Sequence, residues 1–255
     1  MTQDLIDFTL HLADNALILG HRNSEWCGHG PVLEQDIAIT NISLDLVGPA
    51  RNFYQYAATL INETGVQNKA TEDSLAYMRG NQEYKNCLLA EQPNGDWAKT
   101  ILRQFLFSAY QFYLYQQLSK SIDAQLAAIA EKSLKEIIYH LRWSSEWIVR
   151  LGDGTEVSHN RMRGAIDELW MFTEELFIPA PYERQVIEEK KAVAINLLKP
   201  TWEQKVAEIF KEAGLPYPGA RGQQTGGKEG RHTEHLGYIL DDMQFLQRTY
   251  PENSW

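Results

Sequence analysis

Apolar residues return every three or four positions along almost the whole chain, and alternating Val/Ile/Thr runs bounded by turn residues are nearly absent. The pattern predicts an all-α protein with little or no sheet. The first helix is expected from about Gln3 to Arg22, with Leu5, Phe8, Leu12, Ala16 and Leu19 on one face, and Asn23 to Pro31, containing Gly28 and Gly30, ends it. A second helix from about Leu33 to Ile61 presents Ile37, Asn41, Leu44, Val47 and Arg51, then Tyr54 and Ala58. Pro49 is positioned to kink it, because the ring removes one helical hydrogen bond and crowds the preceding turn. A short helix follows Thr71, and Pro93-Asn94-Gly95 makes a break. From Asp96 to about Lys120 comes a helix whose Phe105, Phe107, Tyr110, Phe112, Tyr113 and Tyr115 point in most directions, so neighbours are expected on several sides. Asp123 caps the next helix, which runs to about Leu151 and is stopped by Gly152-Asp153-Gly154; Thr155 caps another, reaching about Phe177. Beyond Pro179 and Pro181 the pattern weakens. Polar, peripheral helices are expected at Arg184 to Leu198 and Thr201 to Ala213, then a Pro/Gly-rich loop from Leu215 to Gly230 and a last helix from Thr233 to Thr249. No internal repeat at a fixed period is present.

Length and composition narrow the class. The 255 residues read as one domain, 1–255, with 44% hydrophobic and 23% charged residues, ordinary for a soluble globular protein. No apolar run approaches the roughly 20 residues that span a bilayer, so no membrane helix is expected. Met1 to Phe8 carries Asp4 and Asp7 and lacks the basic-then-apolar pattern of a secretory signal. With only two cysteines, Cys27 and Cys87, the expectation is a reducing cytoplasm and no disulfide. A formal charge of −10 argues against nucleic acid as a partner, although a local basic patch for an anionic small molecule is compatible with it.

A carboxylate-bridged di-iron site in a helix bundle takes a Glu-x-x-His pair from each of two helices and one Glu from each of the other two. Within the predicted helices that spacing occurs once, at Glu156-Val157-Ser158-His159, in a first turn where an acidic residue serves as a cap. Capping is the favoured reading there. Glu136 and His140 are the next ligand-like pair, but Ile137 stands where a carboxylate three residues before His140 would complete the motif. A buried polar pair satisfied by neighbours is favoured. His232-Thr233-Glu234-His235 clusters two imidazoles and a carboxylate beside Lys228 and Arg231; zinc there would require His159 or His140 to come close, and a structural or interface role is expected. Gly226-Gly227-Lys228 resembles the end of a phosphate loop without its strand or full spacing. Asp14, Glu25, Cys27 and His29, near the first interhelical turn, need no catalytic explanation.

Several segments together carry a resemblance. They are Ser24-Glu25-Trp26-Cys27-Gly28-His29, Asn41-Ile42-Ser43-Leu44-Asp45-Leu46 with Ala50-Arg51-Asn52-Phe53, and Glu91-Gln92-Pro93-Asn94-Gly95. Further on come Tyr139-His140-Leu141-Arg142, Arg150-Leu151-Gly152-Asp153-Gly154-Thr155, Thr225-Gly226-Gly227-Lys228, His232-Thr233-Glu234-His235-Leu236-Gly237, Met243-Gln244 and Leu246-Gln247-Arg248. The chain resembles, over nearly its whole length, the C subunits of the phenylacetyl-CoA ring 1,2-epoxidase, a multicomponent monooxygenase of bacterial phenylacetate degradation; Phe177 to Gly222 carries no signature.

The resemblance implies a ferritin-like four-helix bundle core with additional peripheral helices, in which the iron site of the related catalytic A subunit has been lost. It implies that Asp45 and Gly48 stand where the second core helix would carry Glu and His, that Ile137 and His140 stand at the same positions of the later helix, and that Ala16 replaces the first-helix carboxylate. Gly48 and Ile137 offer no metal-binding atom. The implied role is a non-catalytic cytoplasmic subunit of a hetero-oligomer, with no catalytic, cofactor-binding or metal-binding residue of its own. The implied partners are a di-iron A subunit, a small B subunit and a reductase that carries electrons from NADPH through FAD and an iron–sulfur cluster. Two other readings stay open: a metal-dependent helical-bundle oxidase using His140, His159, His232 and His235, and an acyl-CoA-binding module using the loop around Lys228 and Arg231.

Overall fold

A computed structural model describes residues 2–219, 222–251 and 253. Among these no strand occurs. The first long hairpin is α1 (Thr2–Ser24) and α2 (Leu33–Glu63), and the second is α5 (Trp97–Leu118) and α6 (Ala124–Gly152). Between them lie α3 (Glu72–Tyr77), a 3-10 turn at Asn81–Glu83 and the one-turn α4 (Leu88–Glu91). The helices begin where the sequence supplies an oxygen for orphan amides: Thr71 accepts from the amide of Ser74 at 3.1 Å, Asp96 from that of Lys99 at 3.0 Å, and Asp123 from those of Gln125 and Leu126 at 3.1 and 3.0 Å. α2 continues through Pro49, whose ring is buried.

α1 packs along α2, α5 along α6, and α2 against α6. Gln35 meets Trp143 and Trp147, Asp45 meets His140, and Tyr56 meets Asp123, so α2 and α6 run antiparallel. This is the four-helix, ferritin-like core. Around it stand α7 (Glu156–Leu169) and α9 (Lys199–Glu212) against α5 and α6, and α8 (Pro181–Glu188) against α1. The last helix, α10 (Glu234–Thr249), touches α3, α1 and α4. None of these helices is long and apolar enough to cross a membrane among the described residues.

Two helices are enclosed on every side. α5 is buried continuously from Thr100 to Gln111, as its all-round aromatics predict, and α1 is buried from Phe8 to Gly20, which its single apolar face did not suggest.

Three expectations are corrected. The stripe of α2 through Ile37, Leu44 and Val47 faces outward; the helix carries a second apolar face, through Ile39, Ile42, Leu46 and Phe53, and that one packs inward. α7 stops at Leu169 and not near Phe177, because the chain turns through two 3-10 segments, Trp170–Phe172 and Glu174–Phe177, that pack Trp170 and Phe177 against Trp202 of α9. No helix runs from Arg184 to Leu198: α8 ends at Glu188, Lys190 adopts φ 59°, and only a 3-10 turn, Ile195–Leu198, follows.

Gly152, where α6 ends, is needed for contact and not for backbone freedom. A Cβ there would lie 2.5 Å from the carbonyl oxygen of Ala213 and 2.7 Å from its Cβ, at the end of α9. Gly152→Ala is therefore expected to destabilise the protein by about 1–3 kcal/mol, as overpacking does. A urea midpoint no lower than wild type would contradict the packing of α6 on α9.

Candidate functional site

The positions named by the resemblance lie on α1, α2 and α6. Asp45 and His140 come together: the imidazole Nε2–H donates to Asp45 Oδ2 at 3.1 Å, since a carboxylate can only accept. His140 is fully buried, Asp45 is partly exposed, and His140 Nδ1 has no partner. Ile137 is buried one turn earlier, and Ala16 is buried in α1 without a donor atom. Gly48 is a correction of another kind. It lies on the outer surface of α2, where an added Cβ would meet nothing within 4 Å, so the structure does not bring position 48 to the bundle interior. Glu136 is half-buried, and desolvation followed by the charge of Asp45 raises its carboxyl above the ordinary range. Two donors already bonded to one another do not fit a di-iron centre, which calls for six. Among the described residues no group of three or more His, Cys, Asp or Glu side chains stands close enough to hold a metal ion.

The other histidines are dispersed. Thr155 caps α7 by accepting from the amide of Ser158 at 3.2 Å, while Glu156 is exposed and the His159 ring donates from Nδ1 to the carbonyl of Gly152 at 2.7 Å. His232 is buried against Glu91: Nδ1 donates to Oε2 at 2.7 Å and Nε2 donates to the carbonyl of Tyr84 at 2.9 Å. An acceptor at each ring nitrogen requires a proton on each, hence an imidazolium. Burial alone would lower its pKa, but the hydrogen bond and charge of Glu91 outweigh it and the net shift is upward. The same Glu91 carboxylate takes the amide and hydroxyl of Thr233 at 2.7 and 2.8 Å, starting α10, and the side-chain amide of Asn86 at 2.8 Å. The four-histidine metal reading is thereby not supported by the arrangement.

Gly226-Gly227-Lys228 does bind an anion, and the anion is internal. Glu175 Oε1 accepts from the amides of Gly226 and Gly227 at 2.7 and 2.8 Å, and Oε2 from that of Leu88 at 2.7 Å. Lys228 is buried with its ammonium 3.0 Å from Glu183 and 3.2 Å from the carbonyl of Ile178. Neither the loop amides nor Lys228 is open to a CoA phosphate, and Arg231 pairs with Glu229 at 3.2 Å. Near the first turn, Asp14 is buried in α1, Glu25 accepts from Arg22 at 2.7 Å, and Cys27 and Cys87 are free.

A family profile described as "Phenylacetic acid catabolic protein" matches residues 1–255. The chain belongs to the phenylacetic acid catabolic protein family. It is 47% identical, over 251 residues, to the C subunit of the 1,2-phenylacetyl-CoA epoxidase of Escherichia coli (strain K12), and the match covers 98% of this chain and 99% of that one.

In this member of the phenylacetic acid catabolic family, sequence reasoning passed over the residues with the most demanding electrostatics. Asp14 receives Arg79 on both oxygens, the hydroxyl of Tyr54 at 2.5 Å and the amide of Lys85 at 2.8 Å. Arg103, fully buried in α5, is held by the carbonyl of Gln92 and by Asn94 Oδ1 at 2.6 Å; burial, and then the charge of Arg22, pull its pKa down to about 9 against the charge of Glu25. The available signal was a charge inside an apolar run, Leu12-Ala13-Asp14-Asn15-Ala16 or Leu102-Arg103-Gln104-Phe105.

His11 and His232 are expected to titrate in opposite senses. Burial, against the pull of Glu183, lowers His11 from 6.5 to about 4. Its stabilising contribution is therefore present above 6.5 and lost as pH falls toward about 4. His232, shifted upward, contributes fully below 6.5 and loses that contribution as pH rises through its elevated value. An NMR titration showing His11 charged at pH 6, or His232 neutral there, would contradict the arrangement. Glu175→Ala, which strands three amide donors, is expected to cost about 2–5 kcal/mol in urea unfolding; an unchanged midpoint would mean the carboxylate does not hold the loop.

Proposed function

We propose that this chain is a non-catalytic C-type subunit of a phenylacetyl-CoA 1,2-epoxidase, supporting a di-iron A subunit in aerobic phenylacetate catabolism. The observation that carries the reading is the 47% identity to the Escherichia coli C subunit along 98% of the chain. The donor set supports it: Asp45 and the Nε2 of His140 bond each other across α2 and α6, and position 137 is a hydrocarbon. Side chains so placed can stiffen a bundle but supply two donor residues where a di-iron centre calls for six.

Under this proposal the redox chemistry belongs to the A subunit, with a small B subunit and an FAD and iron–sulfur reductase completing the assembly in the cytoplasm. The contribution of this chain is a preformed surface. Its rigidity rests on buried pairs that each tie distant segments, Asp14 with Arg79, Glu91 with His232 and Glu183 with Lys228. The two free cysteines are in keeping with a reducing compartment.

The test is co-expression with the catalytic A subunit of such an epoxidase. The two are expected to co-elute, the A subunit alone is expected to lose at least ~tenfold in epoxidation rate, about 1.4 kcal/mol in barrier terms, and the isolated C-type chain is expected to carry no stoichiometric iron, manganese or zinc. An A subunit that neither binds this chain nor needs it for full activity would end the proposal, as would a chelation-resistant metal in the isolated chain.

A further inference from the structure

α2 has more apolar surface than its own fold uses. Its inner face packs on α1, yet Leu33, Ile37, Leu44 and Val47 are 71%, 52%, 65% and 40% exposed, and Val32 just before them is 52% exposed. Single exposed leucines are ordinary. These are not scattered: positions 33, 37, 40, 44, 47 and 51 advance by alternating steps of four and three, with Thr40 and Arg51 in the remaining places. That is the repeat by which one helix seats its side chains between those of another, and from Leu33 to Val47 it extends about 21 Å. The exposed side chains of α10 make no such seam, since Tyr238 and Phe245 are separated by Asp241 and Asp242.

The face is also held rigid before anything docks. Gln35, in the first turn of α2, accepts with one oxygen from the indoles of Trp143 and Trp147 at 3.1 and 2.8 Å. Asp36 accepts from the amides of Gly28 and Gly30 at 2.9 and 3.0 Å, which fastens the preceding turn to the same helix. A surface already fixed in its binding geometry loses little entropy on association.

Charge decides what fits. From Asn23 to Ala50 the chain has no Lys or Arg and four carboxylates, Glu25, Glu34, Asp36 and Asp45, of which Glu25 is paired with Arg22 and Asp45 accepts from His140. The first cation beyond them, Arg51, is shared with Glu72 at 3.4 Å. A second copy of this chain would bring acidic flank against acidic flank in a protein of net charge −10. An amphipathic helix with an apolar stripe and Lys/Arg on its flanks would complement both features.

We infer that the outer face of α2, from Leu33 to Val47, is the docking surface for such a helix on the A subunit. This rests on the subunit reading above and deepens it by naming the face. The experiment is a calorimetric titration of the purified chain with that A subunit, comparing wild type, Ile37→Lys/Leu44→Lys, Glu34→Lys and the control Leu197→Lys, which alters an equally exposed leucine in the 3-10 turn before α9. The outward double variant is expected to keep the wild-type melting temperature and to bind at least ~tenfold more weakly. Glu34→Lys is expected to slow association and flatten its salt dependence, and the control to bind as wild type does. Wild-type binding together with undiminished binding by the double variant and by Glu34→Lys would overturn the docking face and leave the subunit reading standing. Absence of wild-type binding would remove the subunit reading itself. Self-association of the wild-type chain that is abolished by the double variant, with A-subunit binding unaltered, would assign the face to a second copy and overturn the inference. Should the double variant melt early, Glu34→Lys, on the rim, carries the test alone.

Discussion

From Phe8 to Gly20 no side of α1 reaches water, so every polar atom on that stretch has to be met by protein. Much of the rest of the architecture answers that demand. His11 donates to the carbonyl of Lys85, Asn15 accepts from the amide of Cys87, and Asp14 collects Arg79, Tyr54 and Lys85. All but Tyr54 come from the irregular stretch between α3 and α4. This stretch is thereby shaped by a helix some seventy residues earlier, and an unpaired Asp14 would leave a buried charge, a defect that costs roughly 3–5 kcal/mol in general.

The same logic carries into the last third of the chain, where three buried carboxylates are met from the C-terminal side: Glu91 by His232 and Thr233, Glu175 by Gly226 and Gly227, Glu183 by Lys228. These contacts explain why the Gly-rich loop looks built for phosphate. It is a set of converging amides, and the protein supplies its own anion. They also contrast with the Asp45–His140 seam, where a single hydrogen bond joins a partly exposed carboxylate to a buried imidazole whose Nδ1 has no partner.

Much of this is legible in the sequence and part of it is not, for identifiable reasons. Caps and stops are local, so Asp96, Asp123, Thr155 and the break at Pro93 to Gly95 can be read directly, and Glu156 reads as part of a helix start, where the structure has it. Which of two apolar faces of α2 turns inward depends on α1, a tertiary fact, and the stripe read from the sequence is the outer one. The early end of α7 is set by Trp170 meeting Trp202, a contact invisible to periodicity. Local spacing gives Glu91, Glu175 and Glu183 no structural role, because the groups that tie them to the last third of the chain lie 45 to 142 residues away. The family motifs single out Asp45 and His140, which the fold brings together, while Gly48 shows how a motif can name a position without fixing its side of a helix.

The tether at Gln35 has an optical consequence. Trp143 and Trp147 share its oxygen, and Trp97 packs edge-on to both, with Trp26 beyond it at 5.1 Å. Three indoles thus pack around that of Trp97 immediately behind the first turn of α2, and any change in the water or charge around that turn alters the medium in which they emit. The molecule carries, in its own tryptophan fluorescence, a dye-free gauge of events at that end of the bundle.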